Sequence, residues 1–248
     1  MAAGAVALAA VLLLAPPLSA IPPLVMGDVP TADVGCYELF VGTRFQKTGG
    51  IERQVPFTEL VYGVSDRQEV TFEIPIISGD AGTGFGDAVV GTKYMFVKES
   101  AHRPGIACSF ELKTANGDVA QGLGSGGEDF DVRLRAEKSW GWFTGLLNAG
   151  YTFIGEPAVA GVRQDRRDQR FYAFGQEWKI SGKTKLLSEI YWKSNDTPGD
   201  PHRFAFDVGF KHKLRKDLAV HAAIGESLRD GEVGGPRQRI YAGVKFDF

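Results

Sequence analysis

The sequence has little of what most catalytic and metal sites are made from. Its 248 residues include two cysteines, three methionines and four histidines. Two cysteines exclude a disulfide framework and a cysteine-rich zinc site. His102, His202, His212 and His221 stand at no metal-ligand spacing, so no metal and no cofactor is expected. An excess of either charge is also missing: 28 Lys+Arg stand against 30 Asp+Glu, a net charge of −2. The basic footprint of a nucleic-acid partner is therefore absent. No apolar run reaches the ~20 residues of a helical membrane span, and no Lys or Arg precedes Arg44. There is no G-x-S-x-G elbow of a serine hydrolase, so no catalytic residue is assigned and an enzyme is not expected. Gly122-x-Gly124-x-x-Gly127 matches a dinucleotide fingerprint in form, but a charged strand pattern follows it where a helix would be required.

What is present begins with an export signal. Residues 2–15 are wholly apolar, Pro16 and Pro17 stop them, and Leu18-Ser19-Ala20 supplies the small residues of a cleavage site. Residues 1–20 read as a signal peptide, and 21–35 as a proline-containing periplasmic leader. From Cys36 to Phe248 the dominant signal has period two, the mark of strands with one apolar and one polar face. Val70, Phe72, Ile74 and Ile76 alternate with Glu69, Thr71, Glu73 and Pro75; Phe204, Phe206, Val208 and Phe210 alternate with Ala205, Asp207, Gly209 and Lys211. Glycine, at 32 residues, is roughly twice its usual share of about 7%, which suits many turns and small strand positions.

Twelve such runs follow one another: 36–45, 54–64, 69–77, 85–97, 105–114, 130–138, 143–153, 169–180, 185–194, 203–213, 218–227 and 238–248. Most are close to the ~9–11 residues of a tilted membrane strand. Short connections (65–68, 98–104, 139–142, 181–184, 214–217) interleave with mostly longer ones (46–53, 78–84, 115–129, 154–168, 195–202, 228–237). An even strand number, with short turns on one rim and long loops on the other, describes a single antiparallel up-and-down transmembrane β-barrel of about 12 strands spanning 36–248. The apolar parity carries Tyr94, Phe96, Tyr151, Phe153, Tyr172, Phe174, Trp178 and Trp192. These suit aromatic girdles facing lipid, with the charged parity around a wet lumen. Gln176, on the lipid parity, and Leu146, on the lumen parity, break this phase.

The lumen parity assigns Glu59, Glu73, Asp87, Lys93, Glu111, Lys113, Arg133, Arg135, Glu177, Glu189, Asp207, Lys211, Arg239 and Lys245 as pore-lining candidates. Both signs occur on most strands. This predicts either a cross-strand ion-pair lattice holding the barrel closed or a hydrated path with opposed charged walls, with loops 115–129 and 154–168 gating the outer mouth. Arg163, Arg166, Arg167 and Arg170 make the second of these loops basic near its end. Cys36 and Cys108 fall on the first and fifth runs, too far apart in such a barrel to bond.

Three stretches carry a family resemblance. Glu59-Leu60-Val61-Tyr62-Gly63-Val64-Ser65-Asp66-Arg67 resembles an E-x-x-Y-G-[ILV]-[ST]-D-R strand and turn. Gly86-Asp87 leading into Gly91-Thr92-Lys93-Tyr94 resembles G-D-x-x-x-G-x-K-Y. Gly122-Leu123-Gly124-Ser125-Gly126 before Asp129 resembles a G-L-G-S-G-x-x-D loop. Together they are similar to the outer-membrane barrel family labelled for the MetA pathway of phenol degradation. The resemblance implies a barrel and passage of small, aromatic or hydrophobic molecules. Residues 241–248 are similar to the closing-strand signal read by the barrel-assembly machinery, with Tyr241, Phe246 and Phe248 as its marks. The expectation is a monomeric channel in a bacterial outer membrane, with membrane lipid, the assembly machinery and a small solute as partners. The alternatives are a non-conducting structural or adhesive barrel and, less favoured, an outer-membrane enzyme.

Overall fold

The structure is a computed structural model, and it describes residues 23–48, 51–79, 82–159, 162–228 and 237–248. The proposed signal peptide lies outside the described residues. Among the described residues, fifteen strands follow in chain order: β1 (Tyr37–Thr48), β2 (Ile51–Ser65), β3 (Gln68–Gly79), β4 (Gly82–Phe85), β5 (Val89–Val97), β6 (Gly105–Lys113), β7 (Asp129–Trp140), β8 (Phe143–Phe153), β9 (Ala158–Val159), β10 (Val162–Arg163), β11 (Gln169–Lys179), β12 (Thr184–Lys193), β13 (Arg203–Arg215), β14 (Leu218–Ser227) and β15 (Gln238–Asp247). Twelve of them form one antiparallel ring. Each barrel strand pairs with its chain neighbours, and β1 pairs with both β2 and β15, which closes the sheet. Closure removes the unpaired edges that a bilayer would not tolerate. β4 is a short extra strand against the far end of β3, and β9 with β10 is a two-residue hairpin inside a loop.

The strands form where the alternation predicts them, and the pleat sends successive side chains to opposite faces. On β7, Arg133 is 1% exposed while Leu134 beside it is 54% exposed. This inverts the burial of a water-soluble protein. Towards the long-loop rim, the rings of Phe110, Phe130 and Phe153 stack at 6.4 and 6.2 Å. Towards the short-turn rim, Phe143 lies 5.9 Å from Trp140 and 6.3 Å from Trp178. These rings form the two aromatic girdles of an outer-membrane barrel.

Two loop expectations change. The expected loop 46–53 is mostly strand, because Gln46, Lys47 and Thr48 pair with Arg53, Glu52 and Ile51 around residues 49–50. Polar residues on both parities hide this extension from the period-two alternation. The expected run 85–97 divides into β4 and β5, since residues 86–88 leave the ladder. Both cysteines are free thiols.

The largest correction concerns the leader expected in the periplasm. Its described part, residues 23–34, runs inside the barrel. It enters from the short-turn rim, where Val34 bridges Gly63, and ends near Arg239, which donates to the Pro23 carbonyl at 3.4 Å. The physical reason has two parts. Leu24, Val25 and Met26 find a dry patch on the luminal wall made by Leu146, Phe171, Ala173, Leu187, Tyr191 and Ala205. The segment's backbone N–H groups, which no ladder satisfies, find acceptors on luminal side chains. Leu146, which broke the predicted phase, faces inward because this segment covers it.

Candidate channel lumen

The luminal face is built by alternation, so its charges come from every part of the ring and must satisfy one another at low dielectric. A buried charge without a partner is expensive, and breaking a buried pair costs more than the pair contributes. In the half towards the long loops the pairing is tight. Asp131 accepts from Arg133 Nε at 2.9 Å and from Thr152 Oγ1 at 2.6 Å. Lys113 contacts Asp129 at 2.6 Å. Arg239 bridges Asp207 and Glu189, the latter at 3.6 Å. Arg133 also lies over the Phe171 ring, 4.5 Å from its centroid.

The inserted segment is held by a ladder of acceptors. Glu189 receives the Val25 N–H at 2.5 Å and the Met26 N–H at 2.8 Å. Asn148 receives the Gly27 N–H at 2.8 Å and donates to the Gly27 carbonyl at 2.9 Å. Glu137 receives the Val29 N–H at 3.2 Å, and Glu69 the Ala32 N–H at 2.8 Å. Lys93 binds Glu69 at 3.0 Å and the segment's own Asp28 at 3.1 Å. The close approach demands small residues in the wall. A Cβ at Gly63 would overlap the backbone carbonyls of Ala32 and Asp33, and one at Gly175 would overlap the Met26 sulfur.

The predicted pore-lining residues divide among these roles. Glu73 forms a two-pronged pair with Arg44 at 2.9 and 3.0 Å, with Glu59 lining the cavity beneath. Arg135 lies 3.8 Å from Glu111 and donates to Ser109 Oγ at 2.9 Å and to the Asp28 carbonyl. Glu177 takes both Lys185 at 2.7 Å and Lys211 at 3.5 Å. Lys245 binds Glu38 at 2.8 Å and Asp247 at 2.9 Å. Asp87 differs from the rest. It sits between β4 and β5 and fixes the long loop 114–128, accepting from the Gly117 amide at 2.9 Å and from the amide and hydroxyl of Ser125 at 2.7 Å each. That loop buries Leu123. In the basic loop, Arg166 binds Thr197 and Asp196 across the rim, while the side chain of Arg163 lies outside the described part. Among the closing-strand residues, Phe246 and Phe248 face outward, whereas Tyr241 is buried in the lumen 5.8 Å from the Phe57 ring.

Sequence reasoning missed the inserted segment and the apolar luminal patch that receives it. The signal was available in part: Leu146, Phe171, Leu187 and Tyr191 all fall on the lumen parity, and a wet bore has no use for such a cluster. Between the segment and the short-turn rim a cavity of about 640 Å³ remains, open towards that rim. Among the described residues, no group of three or more His, Cys, Asp or Glu side chains is arranged to hold a metal ion.

The comparisons with known proteins agree with this architecture. Residues 40–236 match the model of a family described as "Putative MetA-pathway of phenol degradation". No curated protein matches the sequence. Among solved structures, the COG4313 outer membrane channel from Pseudomonas putida F1 superposes with a TM-score of 0.75 at 16% identity, covering 90% of this chain and 99% of that one. The KdgM porin, at TM-score 0.62 and 13% identity, covers 85% and 99%. The NanC porin, at TM-score 0.61 and 10% identity, covers 85% and 98%. At these identities the likeness is one of fold.

Proposed function

The chain belongs to the MetA-pathway phenol-degradation family, and from that premise we propose that it is a monomeric outer-membrane channel for passive passage of small aromatic or hydrophobic molecules, closed at rest by its own N-terminal segment. Its export by residues 1–20 and its insertion through the C-terminal strand belong to the same reading, and no catalytic step is part of it.

One observation carries the proposal. The bore is occupied by an irregular segment held mainly through side chains (Glu189, Asn148, Glu137 and Glu69), with one backbone bridge at its Val34 end. A structural barrel needs no such device, because its wall charges already pair with one another. A segment fixed by a handful of separable hydrogen bonds is a stopper that leaves without breaking the wall. The non-conducting barrel is the second reading, supported by the tight ion pairs of the half towards the long loops.

Planar-bilayer recordings separate the two. The Gly63→Ala variant puts a methyl group against immovable backbone at the base of the segment, and a second variant lacks residues 23–34 altogether. Both are expected to raise the open fraction by roughly tenfold or more over the intact chain. If all three folded proteins stay silent across a panel of ions and phenols, the channel reading is lost and the sealed barrel stands.

A further inference from the structure

The cavity on the short-turn side of the segment has an uneven wall. Lys179 on β11, Lys185 on β12 and Lys211 on β13 are direct partners across three adjacent strands: Lys179 pairs in register with Lys185, and Lys185 with Lys211. All three line the cavity. Like charges directly opposite one another on a sheet destabilise it, so a row of three lysines calls for compensation. One carboxylate, Glu177, is in contact with the row, with Lys185 at 2.7 Å and Lys211 at 3.5 Å, while Asp28 and Glu137 act on it from farther away. Among the described residues, no carboxylate lies within ion-pair distance of Lys179, nor of Lys213, two residues beyond Lys211 on β13. Of the other cavity charges, Lys93 is matched to Glu69 and Lys245 to Glu38. Glu59, on β2, is a lining carboxylate with no ion pair among the described residues and stands apart from the lysine row, and Lys183 and Lys216 add to the row's charge at the rim. The cationic excess is therefore local to one wall.

The same cavity carries apolar surface at Phe40, Val61 and Ala219, and its volume of about 640 Å³ falls in the range of about 300–1,000 Å³ typical of small-molecule sites. We infer that this vestibule is a binding site for a small organic anion, a monocarboxylate with an apolar body. Its carboxylate completes the lysine row, and its ring or chain lies towards Phe40 and Ala219. The inference rests on the channel reading and sharpens it: the solute collected at the inner mouth is anionic. An anionic lipid headgroup offers related chemistry from a second source, but the row faces the lumen, away from the bilayer.

The test uses the full chain in phosphatidylcholine nanodiscs, with benzoate as the probe and benzyl alcohol as its uncharged counterpart, read by isothermal titration. Benzoate should bind at least roughly tenfold more tightly than benzyl alcohol, and the Lys179→Gln/Lys211→Gln double variant should lose about that factor. Lys98→Gln, outside the cavity, serves as control and should change nothing. Retention of the heat-dependent gel shift of folded barrels shows that the double variant is intact. Equal binding of the two probes, no benzoate binding at all, or unchanged affinity in the double variant would overturn the inference. So would benzoate binding abolished by phosphatidylglycerol in the nanodisc, which would assign the lysines to lipid. Bilayer conductance recorded without benzoate keeps the two claims apart: a protein that conducts but does not bind benzoate loses only the anion site, and one that binds but never conducts loses only the channel.

Discussion

The two halves of the bore use similar side chains to different ends. Towards the long loops, Asp131, Arg133, Glu189, Asp207 and Arg239 are all within 5% of complete burial, and each has partners on the wall or on the inserted segment. Towards the short turns, Lys179, Lys183 and Lys213 are exposed around an open cavity. The difference lies in the filling as well as in the lysine row of the wall: Leu24, Val25 and Met26 dry one half, while Pro30 and Thr31 merely border the other. Charge in a barrel interior is thus either consumed by geometry or left for solute, and one peptide decides which.

Breaking the dry half should have the largest effect. Asp131→Ala strands the buried Arg133 guanidinium and is expected to cost roughly 3–5 kcal/mol, measured as the shift of urea unfolding in liposomes; a cost as small as that of an exposed pair would mean that this half is wet. On the outer face of the same strand, Leu134→Arg places a charge at mid-membrane and should cost about 2–4 kcal/mol in the same assay. A neutral outcome there would contradict the lipid-facing parity. Glu189→Ala removes the acceptor of two backbone amides and should weaken the seating of the segment by about 1–3 kcal/mol. It would make the closed half resemble the open one, with faster protease cleavage near Gly27 and a barrel that stays folded.

The smallest effect is expected at the short-turn rim. Burial alone would raise the Glu99 carboxyl, but the amide of Ser139 at 2.7 Å and the ammonium of Lys138 at 3.1 Å hold it below its ordinary value. A carboxyl depressed in the folded state contributes stability above its unfolded pKa of about 4.3, and that contribution is lost as the pH falls through the lower folded value. Acidification through that window should lower the protection of the Ser139 amide, read as its exchange rate relative to the intrinsic rate at each pH, and Glu99→Gln should remove most of this pH dependence.

The wall was legible in the sequence because alternation of period two is a local signal. Phe204, Phe206, Val208 and Phe210 announce both a strand and its outward face, and each of the twelve runs contributes a strand to the ring, 85–97 only through its part from Val89 onward. The inserted segment was not legible, because residues 23–34 have no period and their partners Glu189, Asn148 and Glu137 lie more than a hundred residues away in sequence. The lysine row was half legible. Parity put Lys211 in the lumen, but its alignment with Lys185 and Lys179 depends on the register of three strands, which no single strand encodes. The parity of its neighbours places Asp87 on the wall, whereas the break at residues 86–88 makes it a loop anchor.

Residue Gly35 alone separates the bridge at Val34 from the start of the β1 hydrogen bonds at Cys36. So short a tether keeps the stopper at an effective concentration of millimolar or more beside its seat. Modest contacts therefore suffice to keep it home, and any soluble competitor must arrive in comparable abundance or grip the seat far harder to dislodge it.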